Sequence, residues 1–190
     1  KATGIQCAPF HPKTNIEELY DMKNDPDCTN NLISNTEYME IANELRLALR
    51  EWQLDINDTG LLLESEMNKR AKQNKLTVME IAQDRNLYPL EKLINAADLA
   101  LSALPKNKII FEELIKQSDP GLRYWGAIGL MRIGDYSKGK YLSKDTSDEV
   151  KTVGAWMMIS DKQYDEGFRV ISSMLENNSN ASLFILNVLD

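Results

Sequence analysis

Ser118-Asp119-Pro120-Gly121-Leu122-Arg123-Tyr124-Trp125-Gly126-Ala127-Ile128-Gly129-Leu130-Met131-Arg132-Ile133-Gly134-Asp135 reads as one amphipathic helix with its start and stop included. Asp119 suits the N-cap, where a side-chain oxygen accepts an orphan backbone N–H. Pro120 suits the first helical position, which needs no N–H of its own. Gly134 suits the residue after the helix, because it enters a left-handed turn without a Cβ clash. Leu122, Trp125, Gly126, Gly129, Leu130 and Ile133 share one side at helical spacing. The small residues on that side let a neighbouring helix approach closely.

This helix recurs. Placing Leu122-Arg123 over Val150-Lys151, an offset of 28 residues, puts Asp119 on Ser147, both good caps. It also puts Gly126-Ala127 on Gly154-Ala155 and Leu130 on Met158. A weaker third copy runs from Asn178-Ser179-Asn180-Ala181 into Ile185-Leu186-Asn187-Val188-Leu189, offset by 31. Partner helices are expected over Lys108 to Gln117, Ser137 to Ser143 and Tyr164 to Glu176. The unit is helix, turn, helix. One such pair cannot bury both of its apolar faces, but stacked pairs form a continuous core.

Upstream, Ser34-Asn35-Thr36-Glu37 fits a capping box. Behind it Tyr38, Ile41, Ala42, Leu45, Ala48, Leu49 and Trp52 form a helical stripe to about residue 53. Asn57-Asp58-Thr59-Gly60 breaks that helix. Leu61-Leu62-Leu63 reads as a loop anchor before a polar helix from Ser65 to about Gln73. Thr77-Val78-Met79-Glu80 is a second capping box, opening a short helix to about Gln83. Leu90 to Leu104 is a helix with Leu90, Leu93, Ile94, Ala97 and Leu101 inward, stopped by Pro105. Residues 1 to about 16 are turn-rich, Glu17 to Met22 alternates like a strand end, and Asn24-Asp25-Pro26-Asp27 is a turn.

The expected fold class is all-α: helical hairpins stacked as a short α-solenoid, with an irregular or extended N-terminal segment. The expected divisions are 1–33 irregular, 34–104 a helical linker region, and 105–190 the repeat domain.

Composition sets bounds on function. Among 190 residues, 43% are apolar and 27% charged, ordinary for a globular protein, and the net charge is −7. The basic residues are dispersed, which argues against nucleic acid as a partner, since phosphate neutralisation drives that binding. No apolar run has the length of a membrane span. The chain begins Lys1-Ala2-Thr3-Gly4, without Met or a signal pattern, and is expected to be a piece of a longer protein. Cys7 and Cys28 can pair but make no framework.

No catalytic, cofactor-binding or metal-binding residue is expected. His11 is the sole histidine, so neither a triad nor a two-histidine metal site exists within this chain. Glu17-Glu18 and Glu112-Glu113 are adjacent residues, which do not converge on a helix, and Asp25-Pro26-Asp27 is explained by turn chemistry. Three glycosylation sequons, at Asn57, Asn177 and Asn180, are expected by chance in an Asn-rich chain. Tyr124, Trp125 and Trp156 are the candidate interaction residues. Their competing role is core, which is the commoner fate of aromatics on repeat helices.

Asp119-Pro120-Gly121-Leu122-Arg123-Tyr124-Trp125-Gly126-Ala127 resembles the D-P-x-V-R-x-x-A-A theme of HEAT-like repeats, with Gly126 in place of an alanine. Its period is shorter than the usual unit of about 40 residues.

Glu18-Leu19-Tyr20-Asp21-Met22-Lys23-Asn24-Asp25-Pro26-Asp27-Cys28-Thr29-Asn30-Asn31-Leu32 resembles the E-L-Y-D-L-x-x-D-P-x-E-x-x-N-L signature near the C-terminus of sulfatases. Leu45 to Trp52 resembles the L-x-x-x-L-x-x-W helix that follows in that family. The likeness covers about residues 17 to 64, and Cys28 and Leu63 depart from it. The resemblance implies a parent that hydrolyses sulfate esters, with a formylglycine nucleophile and a calcium site in an N-terminal domain outside this chain. It implies a periplasmic or secreted setting and a catalytic domain of the parent chain as partner. Cys7-Ala8-Pro9 is followed by Phe10 and His11 where the maturation motif requires Ser and Arg, so it is not a nucleophile site. The alternative is a free-standing HEAT-like scaffold that binds another protein.

Overall fold

The structure is a computed structural model that describes residues 16–176 and 181–189. The described residues are all-α: ten α-helices, two short 3-10 turns and no strand. The chain divides into two compact units, 1–56 and 57–190. The sequence reading placed its divisions near 33 and 104.

The first unit holds a loop, a 3-10 turn at Thr36–Tyr38, and α1 (Met39–Asp55). The cap differs from the expected box. Asn35, not Ser34, accepts the Glu37 backbone N–H at 3.0 Å. Asn35 has extended backbone, which places its short side chain over the first turn. Glu17 to Met22 is not a strand end: the Leu32 N–H donates to the Leu19 carbonyl at 2.7 Å, and the segment folds back as a loop. Along the expected stripe of α1, only Ala42 is buried.

The second unit begins with Leu61 and Leu62, both buried as anchors. Then come α2 (Glu64–Asn74), α3 (Val78–Gln83) and α4 (Leu90–Ser102). The Thr77–Glu80 capping box forms in both directions. Leu90, Leu93, Ile94 and Ala97 face inward as expected, and Ala96 and Ala100 join them. Leu101 does not: it shares the angular position of Leu90 and Ile94 but lies in the last turn of the helix, and it is more than a third exposed. The helix ends at Ala103 in left-handed conformation, two residues before Pro105, which opens a 3-10 turn instead.

Six helices follow: α5 (Lys108–Leu114), α6 (Pro120–Arg132), α7 (Gly139–Leu142), α8 (Asp148–Ser160), α9 (Tyr164–Glu176) and α10 (Ser182–Leu189). α5 and α7 are shorter than expected. Helix α6 packs on α4, α5 and α8; α8 packs on α7 and α9; α10 lies against α9 and α8. Phe111, Leu130, Leu142, Val150, Val153 and Met157 form one buried cluster across these helices, and Ala155, Ile171, Met174, Ala181 and Ile185 form a second.

The 28-residue correspondence holds atom by atom between α6 and α8. Asp119 caps α6 by accepting the Gly121 and Leu122 N–H groups, and Ser147 caps α8 by accepting that of Val150. Both helices end in a Schellman motif, with paired bonds from Gly134 N–H to Met131 O and Asp135 N–H to Leu130 O, then from Lys162 N–H to Ile159 O and Gln163 N–H to Met158 O. Lys162 takes the left-handed conformation that Gly134 takes in the first copy.

The aligned glycines also meet aligned neighbours. A Cβ at Gly126 would lie 2.7 Å from Leu114 Cβ and 2.9 Å from Ile115 N. A Cβ at Gly154 would meet Leu142 C at 2.5 Å and Ser143 N, the residues 28 positions on. At both positions a methyl has no room against the end of the preceding helix.

Gly154→Ala gains roughly 1 kcal/mol of helix propensity but must push backbone aside. A net loss of about 1–3 kcal/mol is expected from overpacking, read as a lower urea midpoint at unchanged slope.

Candidate functional site

Two constellations stand out, one in each unit. In the first unit the stretch from Glu17 to Ile33 is a self-bonded loop. Asn31 Oδ1 accepts the N–H groups of Leu19 at 3.0 Å and Ile33 at 3.1 Å. Asp21 Oδ1 accepts that of Lys23 at 3.0 Å. Asp25 holds both Thr29 and Asn30 by their N–H groups, at 3.0 and 2.8 Å. Those bonds from Thr29 and Asn30 hold the Asp25 carboxyl below its usual range. Arg46 of α1 then grips Glu17 with two bonds, at 2.8 and 2.6 Å. Asp21, Asp25 and Asn31 thus each accept backbone N–H groups of the loop and hold its shape. Cys28 sits in left-handed backbone with a free thiol. Cys7, His11 and Cys7-Ala8-Pro9 lie outside the described residues.

Beside that loop, α1 presents its stripe to solvent. Ile41, Leu45, Leu49 and Trp52 are 47, 54, 53 and 58% exposed. A cleft of about 210 Å³ runs between loop and helix, lined by Leu19, Ile33, Ala42, Leu45 and Leu49.

The second constellation is ionic and buried. The Arg70 guanidinium, on α2, donates from Nε to Glu66 at 2.8 Å and from Nη1 to the Leu87 carbonyl at 2.7 Å. It also pairs with Asp119, the cap of α6, with Nη1 to Oδ2 at 3.0 Å. Glu149 of α8 accepts from the hydroxyls of Ser65 and Ser147. One network thus ties α2, the turn before α4, and the starts of α6 and α8. Arg70 and Glu66 are buried together, and Glu66 Oε2 has no hydrogen-bond partner. Burial, then the nearby Glu149 charge, outweigh Arg70 and raise the Glu66 carboxyl above its ordinary value. A second pair, Arg123 to Asp145 at 2.8 Å from both Nε and Nη2, joins α6 to the turn before α8.

Of the sequence-selected aromatics, Tyr124 and Trp125 are partly buried and pack against the first apolar cluster. Tyr124 and Trp125 meet edge to face at 5.4 Å, and Tyr124 meets Phe184 at 6.0 Å. Burial pushes the Tyr124 hydroxyl up to about 12, with Glu149 adding to it. The Trp125 Nε1–H donates to the Leu61 carbonyl at 2.8 Å, fixing the anchor loop. Trp156, on α8, is half-buried and lies outside that ring group. The ionic network was missed from sequence. Its one visible signal is the Glu66–Arg70 spacing of four, which reads equally well as a solvated surface pair.

Among the described residues no group of three or more acidic, Cys or His side chains is placed to hold a metal ion. No described helix is long and apolar enough to cross a membrane. Comparison with family models, curated proteins and solved structures finds no match for this chain.

Asp119 carries both a cap and a buried pair, and two substitutions separate them. Asp119→Asn keeps an acceptor for the Gly121 and Leu122 N–H groups, and loses only the charge against Arg70. Asp119→Ala removes both, and is expected to cost about 3 kcal/mol rather than the roughly 1 kcal/mol of a cap alone. Chemical denaturation of the two variants gives the partition.

Glu66 sets a pH dependence. Its folded pKa lies above the ordinary 4.5, so the folded state binds more protons than the unfolded state. The stability tied to its proton is complete below that ordinary value and is lost as pH rises through the raised one. A melting-temperature series upward from pH 4.5 is expected to show this decline in the wild type and a flatter profile in Glu66→Gln.

Proposed function

We propose that this chain is a non-catalytic region of a sulfatase-like parent: a tail segment followed by helical repeats, packing on the catalytic domain. The observation that supports it is the bare stripe of α1. Four large apolar side chains at one-turn spacing, each about half exposed, belong to a helix whose partner surface lies elsewhere. The motif loop beside it is held by its own Asp21, Asp25 and Asn31 bonds. It therefore acts as a rigid platform that sets the angle of α1 through the Arg46–Glu17 pair. On this reading the sulfate-ester chemistry and its calcium belong to the parent's other domain, and this chain contributes docking and shape. The repeats of the second unit then extend as a short α-solenoid.

A second reading is a free-standing HEAT-like scaffold for another protein. The matched environments of Gly126 and Gly154 favour it, because regular stacking is how such scaffolds build a binding face.

The two readings part on α1. The test pairs the chain with the domain encoded immediately upstream of Lys1. Co-purification is expected for the wild type and a loss of at least about tenfold in affinity for Leu45→Glu with Leu49→Glu, since each removes a buried apolar side chain from the junction. An upstream frame with neither a C/S-x-P-x-R motif nor clustered acidic calcium ligands overturns the sulfatase reading.

A further inference from the structure

The open side of α1 carries a charge pattern as regular as its apolar stripe. With Ile41 as origin and about 100° per residue, Trp52, Leu45 and Leu49 fall within about 80° on one side of it. Glu40, Glu44, Glu51 and Asp55 fall within about 100° on the other side, in a file along the helix. All four acids are exposed. No base shares their side: Arg46 and Arg50, the cations of α1, lie about 140° and 180° from Ile41. Glu40–Glu44 and Glu51–Asp55 are like charges four apart, a spacing that destabilises a helix on its own. A cationic cover relieves that repulsion.

The other edge of the stripe is acidic too. The cleft there is lined by Glu17 and Glu18 against one cation, Arg46, which Glu17 already holds. Both borders of the bare apolar face thus ask for positive charge opposite them.

We propose that α1 docks a cationic amphipathic surface of a protein partner. An apolar ridge of the partner covers Ile41, Leu45, Leu49 and Trp52, and its lysines or arginines meet the acid file. The cleft of about 210 Å³ over Ala42 receives an apolar side chain of that ridge. This rests on the reading of α1 as a docking helix, and adds the chemistry of what docks. A second copy of the chain fits badly, because antiparallel pairing of two such faces sets acid file against acid file. An anionic lipid surface is repelled by the same file.

The test titrates the full chain with two synthetic amphipathic helices that share a leucine stripe, one flanked by lysines and its twin by glutamates, read by anisotropy of a label on the peptide. The lysine peptide is expected to bind at least about tenfold more tightly than its twin at low salt. Raising the salt to about 0.5 M is expected to shrink the difference. Glu44→Gln/Glu51→Gln/Asp55→Asn is expected to abolish the preference. Glu64→Gln/Asp165→Asn/Glu176→Gln, which removes the same charge from exposed sites of the second unit, is expected to keep it. Leu45→Glu with Leu49→Glu is expected to lose both peptides. Equal binding of the twins, or equal loss of preference in the two triple variants, overturns the proposal. So does self-association of the wild type that Leu45→Glu abolishes, which puts a second copy on the face. At least tenfold tighter peptide binding by a chain lacking residues 1–15 overturns it as well, by making that stretch the occupant. The domain encoded upstream separates this inference from the docking reading. Undiminished capture of that domain by the Glu44/Glu51/Asp55 variant overturns the charge inference alone. A wild type that prefers the lysine peptide and does not capture that domain overturns the sulfatase reading alone.

Discussion

The second unit depends on one buried guanidinium. Arg70 cannot lose its charge, and a buried charge is tolerated only with excellent pairing. Glu66 in the same helix supplies one acceptor, Leu87 a carbonyl, and Asp119 a carboxylate from another helix. These partners come from three different places in the chain, so satisfying Arg70 fixes α2, the start of α4 and the start of α6 relative to one another. Apolar packing alone tolerates sliding of helices along a seam, whereas a fork with three acceptors does not. The pair therefore sets register, and the clusters around Phe111 and Ile171 supply most of the burial.

Much of this fold was legible because its local signals are strong. Asp119-Pro120 at one end and Gly134 at the other bounded α6, and the structure puts cap, first turn and left-handed residue there. The offset of 28 was legible because a glycine that lets helices touch leaves a mark in sequence. Less legible were helix ends closed by Lys75, Ala103 and Lys162 in left-handed backbone, because nothing in a lysine or alanine announces that conformation. Leu101 misled because spacing gives an angle and not a depth: it lies at the angle of Leu90 and Ile94, but in the last turn of α4, where it is more than a third exposed. The polar helix α2 misled more deeply. Glu66 and Arg70 look like surface residues until Asp119 and Glu149 are brought to them by tertiary structure, and no local pattern encodes that meeting.

The stripe on α1 shows the opposite limit. Periodicity reports that a helix has an apolar face, and says nothing about where the covering surface is. In α4 an identical kind of stripe is covered by α6 within the unit. In α1 it stands in solvent. The two cannot be told apart by spacing.

The two units also hold themselves together by different means, and this bears on what the first unit is for. The second has two apolar clusters drawn from helices far apart in sequence. The first has Ala42 as its one fully buried apolar residue among those described, and side-chain acceptors on loop N–H groups and the exposed Arg46–Glu17 pair contribute to its order. Loop bonds of that kind contribute about 1 kcal/mol each, and an exposed pair less. Ordering a few dozen residues costs far more than such bonds return, and segments this short seldom fold without a disulfide, a metal or a partner surface. Covering Ile41, Leu45, Leu49 and Trp52 would add roughly 1.5–3 kcal/mol for each aliphatic side chain. That is the scale of stabilisation the unit lacks. The apolar face of α1 is thus both the weakness of the first unit in isolation and the feature that would couple its folding to docking.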